Sequence, residues 1–290
     1  MKQRSGNTVA YITGGSSGIG LAIARRLRIG GADLVLIARD PHRLAAARQE
    51  LLALDATPAP NRADARPPVV ETVALDVTDP QQVAHTLATA VERFGAPDIL
   101  VNSAGMAHPG YFEQLDYATL EETLRVNLHG AWNVIQALLP YLRQRRGQIV
   151  NVASLSGLMG TFGYTAYAAS KFALVGMSEA LRSELQADGV TVAVLCPTDT
   201  DTPQLHAENK LKPPEAAELA GRVRVLEPDR VARECLKGLK HRKFIIIPGW
   251  RPRMVYLFKR VAPLLLYKLM DGVVRRYRRR ARLQRVQGGK

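Results

Sequence analysis

Apolar residues fall along this chain in two patterns. Seven short, nearly solid runs stand out: "TVAYIT" (8–13), "DLVLIA" (33–38), "VETVALDV" (70–77), "DILVN" (98–102), "GQIVNVAS" (147–154), "VTVAVLC" (190–196) and "KFIIIP" (243–248). Most are rich in Val, Ile and Leu and lack a polar face, as strands buried on both sides of a sheet require. Between them apolar residues recur every three or four positions, which predicts helices over 18–31, 41–54, 80–95, 117–145 and 165–188. Glycines close the first helix and Pro41 opens the second. Strands alternating with helices through right-handed crossovers give an α/β, doubly wound parallel sheet of about seven strands with helices on both faces. No linker divides residues 1–250, so they are read as one domain. The piece 55–68, "DATPAPNRADARPP", reads as a surface loop insertion.

Charge changes the picture only at the end of the chain. The formal net charge is +14, and residues 251–290 hold 13 Lys or Arg against one acid, Asp271; their +12 leaves +2 for the first 250 residues. After Pro263, residues Leu266, Leu269, Met270, Val273 and Tyr277 share one helical face, and Lys268, Asp271, Arg275, Arg278 and Arg282 share the opposite one. A basic amphipathic helical tail of this kind is expected to lie on a membrane surface. Packing on the main domain or across an oligomer interface is the alternative. Nucleic acid is not an expected partner, because the basic cluster has no interleaved aromatics or reader motif. The seven residues before the first strand resemble no leader, and no run of 18 apolar residues predicts a membrane span. The chain is therefore expected in the cytoplasm, peripheral to a membrane. Cys196 and Cys235 have no metal-ligand spacing and read as small core hydrophobes, and no metal site is expected.

The candidate chemistry lies at the carboxyl ends of the strands. "TGGSSGIG" (13–20) joins strand one to the first helix. Gly14, Gly18 and Gly20 allow a tight turn, the helix N-terminus behind them attracts phosphate, and Ser16, Ser17 and Ile19 complete a dinucleotide cradle. At the end of strand two, Arg39 and Arg43 suit a 2′-phosphate, whereas Asp40 suits a ribose hydroxyl; NADPH is expected over NADH. Asp76 and Val77 at the end of strand three, and Asn102, Ala104 and Gly105 in "NSAG", lie on the same edge, where open α/β sheets bind ligands. In "YAASK", Tyr167 and Lys171 are four residues apart on a helix and share a face. A cation there favours the phenolate, so the tyrosine pKa is expected to fall toward neutrality.

These motifs, with Asn127 in "RVNLHG" and Ser154 after strand five, occur in the order seen in short-chain dehydrogenases/reductases, and the chain resembles that family over about 8–248. The resemblance implies a Rossmann fold and an oxidoreductase in which Tyr167 exchanges a proton with the carbonyl oxygen, Ser154 holds that oxygen, Lys171 supplies the cation and Asn127 anchors a water. It also implies that Thr202 contacts the nicotinamide side, and that a homodimer or homotetramer forms through the two long helices. Two departures stand out: "NSAG" replaces the family's "NNAG", and Pro197–Thr198 replaces its "PG". The loop "CPTDTDTPQLHAENKLKPPE" (196–215) is similar to that of the 3-ketodihydrosphingosine reductases within the family, which implies a long-chain lipid ketone substrate and a role in sphingolipid metabolism. Segment 198–226 is expected to form a substrate lid, with Asp199 and Asp201 serving as loop and capping groups. The alternatives are a reductase for another hydrophobic ketone (3-oxoacyl, steroid or retinoid), or a non-catalytic NADP-binding regulator on a membrane.

Overall fold

Every residue of Val9–Thr13 (β1) is buried in the computed structural model, which describes residues 7–54, 67–221 and 224–288. A strand buried on both faces and both edges must sit at the centre of a covered sheet, and β1 pairs in parallel with strands on either side. The others are β2 (Asp33–Ala38), β3 (Val70–Ala74), β4 (Ile99–Asn102), β5 (Gln148–Val152), β6 (Thr191–Leu195) and β7 (Ile245–Ile246). The order across the sheet is β3-β2-β1-β4-β5-β6-β7. The winding direction reverses between β1 and β4, which opens a crevice at their carboxyl ends.

Among the described residues, the helices before β6 are α1 (Gly18–Ile29), α2 (Pro41–Leu52), α3 (Pro80–Phe94), α4 (Tyr117–Leu124), α5 (Gly130–Arg145) and α6 (Thr165–Glu184). Five follow it: α7 (Pro203–Asn209), α8 (Pro214–Ala220), α9 (Pro228–Lys240), α10 (Trp250–Val261) and α11 (Pro263–Gly288). On one face of the sheet Ile23, Leu51, Val231 and Leu239 join a core of α1, α2 and α9. On the other, Leu87, Leu138 and Leu142 join Tyr11 and Ile149 beneath α3 and α5. Cys196 and Cys235 are free and buried, and burial pushes both thiols up to about 12, in keeping with core packing.

The structure corrects the expected elements in three places. The single helix expected over 117–145 is divided by a π-helical turn, Arg125–His129, between α4 and α5. Such turns insert one extra residue per turn and are common at functional sites; this one places Asn127. Helix α9, needed to carry the chain from β6 to β7, was not anticipated. Its buried Val231, Ala232, Cys235 and Leu239 sit among six charged residues of the thirteen-residue segment "PDRVARECLKGLK", and these dilute the apolar pattern. The loop expected at 55–68 lies outside the described residues except for its last two positions.

Candidate active site

The Gly-rich turn takes its shape from what presses on it. Gly14 has φ of 62°, and a Cβ there would meet the Ser103 carbonyl oxygen at 2.7 Å. A Cβ on Gly20 would stand 2.5 Å from the Gly14 carbonyl oxygen. Only glycine permits this stacking of the β1 turn, the β4 turn and the first turn of α1. Thr13 locks it: its Oγ1 accepts from the amides of Ser103 at 3.1 Å and Ala104 at 3.2 Å. Ser17 is the N-cap of α1, but its side chain makes no capping bond, so its hydroxyl stays available at the positive end of the helix. Arg39 and Arg43 line the same cleft, and among the described residues neither guanidinium has an acidic partner. Asp40 is engaged elsewhere. Its Oδ1 accepts from the amides of His42 at 2.8 Å and Arg43 at 3.2 Å, capping α2. The open helix end and the two free guanidiniums fit a dinucleotide with phosphates.

Deeper in the cleft, α6 presents Tyr167 and Lys171. Lys171 is buried (4% exposed). Its Nζ donates to the Val152 carbonyl at the end of β5 at 2.9 Å and lies 5.6 Å from the centroid of the Tyr167 ring. Burial pulls the Lys171 pKa down to about 8. The Tyr167 pKa is raised, first by burial and then by the charge of Glu208, against a lowering hydrogen bond with Ser154. The expected drop toward neutrality is therefore corrected for the free protein: desolvation outweighs the cation, which sits over the ring and against a carbonyl rather than at the hydroxyl. The result is a phenol that keeps its proton beside a hydrogen-bonding serine. Such a pair can protonate a carbonyl oxygen that becomes an alkoxide, a stronger base than phenolate.

Ser154 is the cap of the short 3₁₀ turn Leu155–Gly157, and its Oγ accepts from the Ser156 amide at 3.0 Å. A Cβ on Gly157 would lie 2.7 Å from the Lys171 carbonyl oxygen, so glycine lets that turn rest directly on α6. Asn127 does not line the cleft. Its Nδ2 donates to the Met106 carbonyl and to Ser170 Oγ, both at 2.9 Å, and its Oδ1 accepts from the Met106 amide at 2.8 Å. It fixes the loop after β4 against α6.

The cleft holds about 730 Å³. Of the expected site residues, Gly14, Ser16, Ser17, Gly18, Ile19, Arg39, Arg43, Asp76, Val77, Ala104, Gly105, Ser154, Tyr167, Lys171 and Thr202 line it. Gly20, Asn102 and Asn127 are not among its lining. Asn102 instead donates from Nδ2 to Asn151 Oδ1 at 2.9 Å, bracing β4 to β5. Asp76 accepts from the Thr78 amide at 2.9 Å, while Asp79 caps α3. Thr202 caps α7, and its methyl group faces Gly18.

The lid brings in groups the sequence reading did not select. Helices α7 and α8 stand over the cleft. Glu208 accepts from the Tyr164 hydroxyl at 3.0 Å and from Gln204 Nε2 at 2.8 Å. Glu215 accepts from the Tyr111 hydroxyl at 2.7 Å and pairs with Arg278 Nε at 2.8 Å. Tyr164, the N-cap of α6 three residues before Tyr167, sets its ring edge-on against the Tyr167 ring; that spacing was the available signal. Asp199 pairs with Lys212 at 3.3 Å, and Asp201 is within hydrogen-bonding distance of His206 Nε2 at 2.7 Å, so both serve the lid as structural groups. The tail closes over this layer. Leu266 and Met270 of α11 and Val255 of α10 line the cleft. The expected two-faced tail is thus corrected: Leu269 points outward at 56% exposure, and Arg278 is tied to the lid.

This is the nucleotide cleft and Ser–Tyr–Lys arrangement of a reductase fold, and the sequence model of the short chain dehydrogenase family matches residues 8–212. The chain belongs to that family. It is 38% identical over 228 residues to the 3-ketodihydrosphingosine reductase of Bos taurus, a match covering 78% of this chain and 66% of that protein. The chain therefore spans slightly less than two thirds of that relative's length. Among solved structures, a short chain dehydrogenase/reductase from Burkholderia phymatum in complex with NAD matches with a TM-score of 0.75 and 26% identity, covering 89% of this chain and 95% of that one. A short-chain dehydrogenase from Sphingobium yanoikuyae in complex with NADPH matches with a TM-score of 0.71 and 29% identity, again covering 89% and 95%.

The charge on Lys171 sets an expected pH profile. The ammonium is present below its pKa of about 8 and is lost as pH rises through it. Reductive kcat/KM should therefore fall on the alkaline side with an apparent pKa near 8. A profile that stays flat to about pH 9.5 contradicts this role.

Proposed function

We propose that the chain reduces a long-chain lipid ketone with NADPH, and that 3-ketodihydrosphingosine, giving dihydrosphingosine, is its substrate. One observation carries the proposal: the cleft that holds Tyr167 and Ser154 is walled on its far side by apolar residues of the lid and tail, namely Leu219, Val255, Leu266 and Met270. An acyl chain leaving a carbonyl at Tyr167 would bury its methylenes there, at about 0.8 kcal/mol for each. The name of the Bos taurus relative supplies the particular ketone.

In this reading the bound NADPH supplies the hydride. Ser154 holds the carbonyl oxygen, Tyr167 delivers the proton, and the Lys171 ammonium offsets the charge left on the phenolate. Arg39 and Arg43 take the 2′-phosphate, since the carboxylate that would favour a free ribose hydroxyl is occupied as a helix cap. The assay is cofactor consumption by the purified chain across a panel of long-chain ketones. The account expects 3-ketodihydrosphingosine to be reduced best, NADPH to be preferred over NADH, and Tyr167→Phe to lower kcat at least about 100-fold. Equal turnover of 3-oxoacyl, steroid or retinoid ketones, or a preference for NADH, overturns the substrate or the cofactor assignment respectively.

The tail also supports attachment to a membrane surface. Trp250, Met254, Leu257 and Val261 recur at helical spacing along α10 and are all at least 53% exposed. Leu264 and Leu265 extend this apolar edge into α11, and cations flank it. No helix among the described residues is long and apolar enough to cross a membrane. The chain should co-float with anionic liposomes, and Met254→Glu with Leu257→Glu should abolish this while NADPH binding persists; unchanged flotation of the double variant contradicts it. Exposed Trp132 on α5 and Phe172 on α6 favour a homodimer or homotetramer built on those helices.

A further inference from the structure

We infer that Glu208 is the seat of a substrate ammonium group carried on the carbon next to the ketone, which makes it the residue that selects amino ketones over plain ketones. The inference rests on the reading above, in which this cleft reduces a ketone at Tyr167.

Of the lid carboxylates, Glu208 acts more strongly than Asp199 on the Tyr167 phenol. It is 8% exposed and lines the catalytic cleft. Its two oxygens are held by neutral donors only, the Tyr164 hydroxyl at 3.0 Å and the Gln204 amide at 2.8 Å. No Lys, Arg or His among the described residues forms an ion pair with it. The nearby ammonium of Lys212 is bonded to Asp199 at 3.3 Å, so that pair is already neutral. Lys212 and Lys171 act on Glu208 only at a distance; a buried carboxylate without a directly paired cation is costly, and this one lines the space that a substrate must enter.

Position restricts which cation fits. The Tyr164 ring meets the Tyr167 ring edge-on, centroids 5.9 Å apart, so the carboxylate held by Tyr164 lies beside the catalytic phenol. Its charge is felt there: Glu208 is the largest influence raising the Tyr167 pKa after burial. An ammonium one carbon from the carbonyl would fall between the two groups. It would offset the carboxylate and relieve the phenol of a charge that opposes its loss of a proton. Burial and Asp199 raise the pKa of Glu208 itself, and a bound cation acts in the opposite direction. The Thr198 hydroxyl supplies a second, independent sign of a polar ligand. Thr198 lines the same cleft, and among the described residues its buried Oγ1 has no hydrogen-bond partner, at the position where "PT" replaces the family's "PG". A turn of its side chain about χ1 would let it bond a hydroxyl or amine of the substrate head.

The test compares two ketones of equal chain length on the full chain with NADPH: 3-ketodihydrosphingosine and the same hydroxyketone lacking the amine. The wild type should favour the amino ketone in kcat/KM by at least about tenfold, and Glu208→Gln, which keeps the shape and an acceptor for Tyr164, should bring that ratio to within about threefold of one. Tyr164→Phe, which removes the pin but keeps the charge, should lower both substrates together. An unchanged ratio in Glu208→Gln, in a protein that still binds NADPH, overturns the inference and leaves the ketone-reductase reading intact. A wild-type ratio near one overturns it whatever the variant does, which covers a Glu208→Gln chain that fails to fold. If the wild type reduces neither ketone but does reduce others, the substrate reading has failed and this inference falls with it.

Discussion

The site depends on one buried charge. Lys171 carries an ammonium into the interior, and its direct backbone partner is the carbonyl of Val152. Burial on this scale is tolerated only where the surroundings leave the cation little else to do, and the nearby elements are arranged accordingly. The β5 end offers the carbonyl. Gly157 lets the following turn lie on the lysine's own backbone, and a Cβ on Gly105 would come within 3.5 Å of the ammonium. Asn127, placed by the π-helical turn, holds the β4 loop and Ser170 at the same depth. The β5 end and the loop after β4 thus meet at the lysine nitrogen, the Gly157 turn and Asn127 brace the backbone around it, and the phenol one turn away on α6 inherits their rigidity.

Much of this was legible in the sequence because period and punctuation carry it. Solid apolar runs mark a buried parallel sheet, and all seven expected strands are present, though β7 is reduced to Ile245–Ile246. The Gly-rich turn was legible because only glycine fits where backbone meets backbone, and Tyr167–Lys171 because a helix places positions four apart on one face. Other features were less visible for physical reasons. A π turn leaves no periodic trace over five residues. Asn102 at a strand end looks the same whether it faces a ligand or its neighbour Asn151. The direction of the Tyr167 shift depends on how much water is removed and on Glu208, 41 positions away in sequence, so spacing alone pointed the wrong way.

Lid and tail are the parts of the molecule in which position along the chain says least about position in space. Arg278, read from the helical wheel as facing solvent, lies over the Phe162 ring and pairs with Glu215, which also accepts from Tyr111. The tail thereby latches α8 across the cleft mouth. Lys259 of α10 donates to the Leu158 carbonyl and sits 5.2 Å from the Phe172 ring centroid, a second tie to the body of the domain. One surface of the tail therefore closes the cleft while its opposite edge, from Trp250 to Leu265, stays apolar and open. Under the proposed function, that edge and then the apolar wall are what a lipid ketone would meet on its way to Tyr167.

The most direct test of the account is the ionisation of Tyr167 itself, followed by NMR of ring-labelled tyrosine with the signal assigned through Tyr167→Phe. In the chain free of nucleotide the phenol should remain protonated through pH 10.0, the ordinary tyrosine value, because desolvation and Glu208 together outweigh the hydrogen bond with Ser154. A phenolate signal appearing near neutrality would mean that the cation governs the phenol without help, and the picture of a proton-loaded donor held in reserve would be wrong.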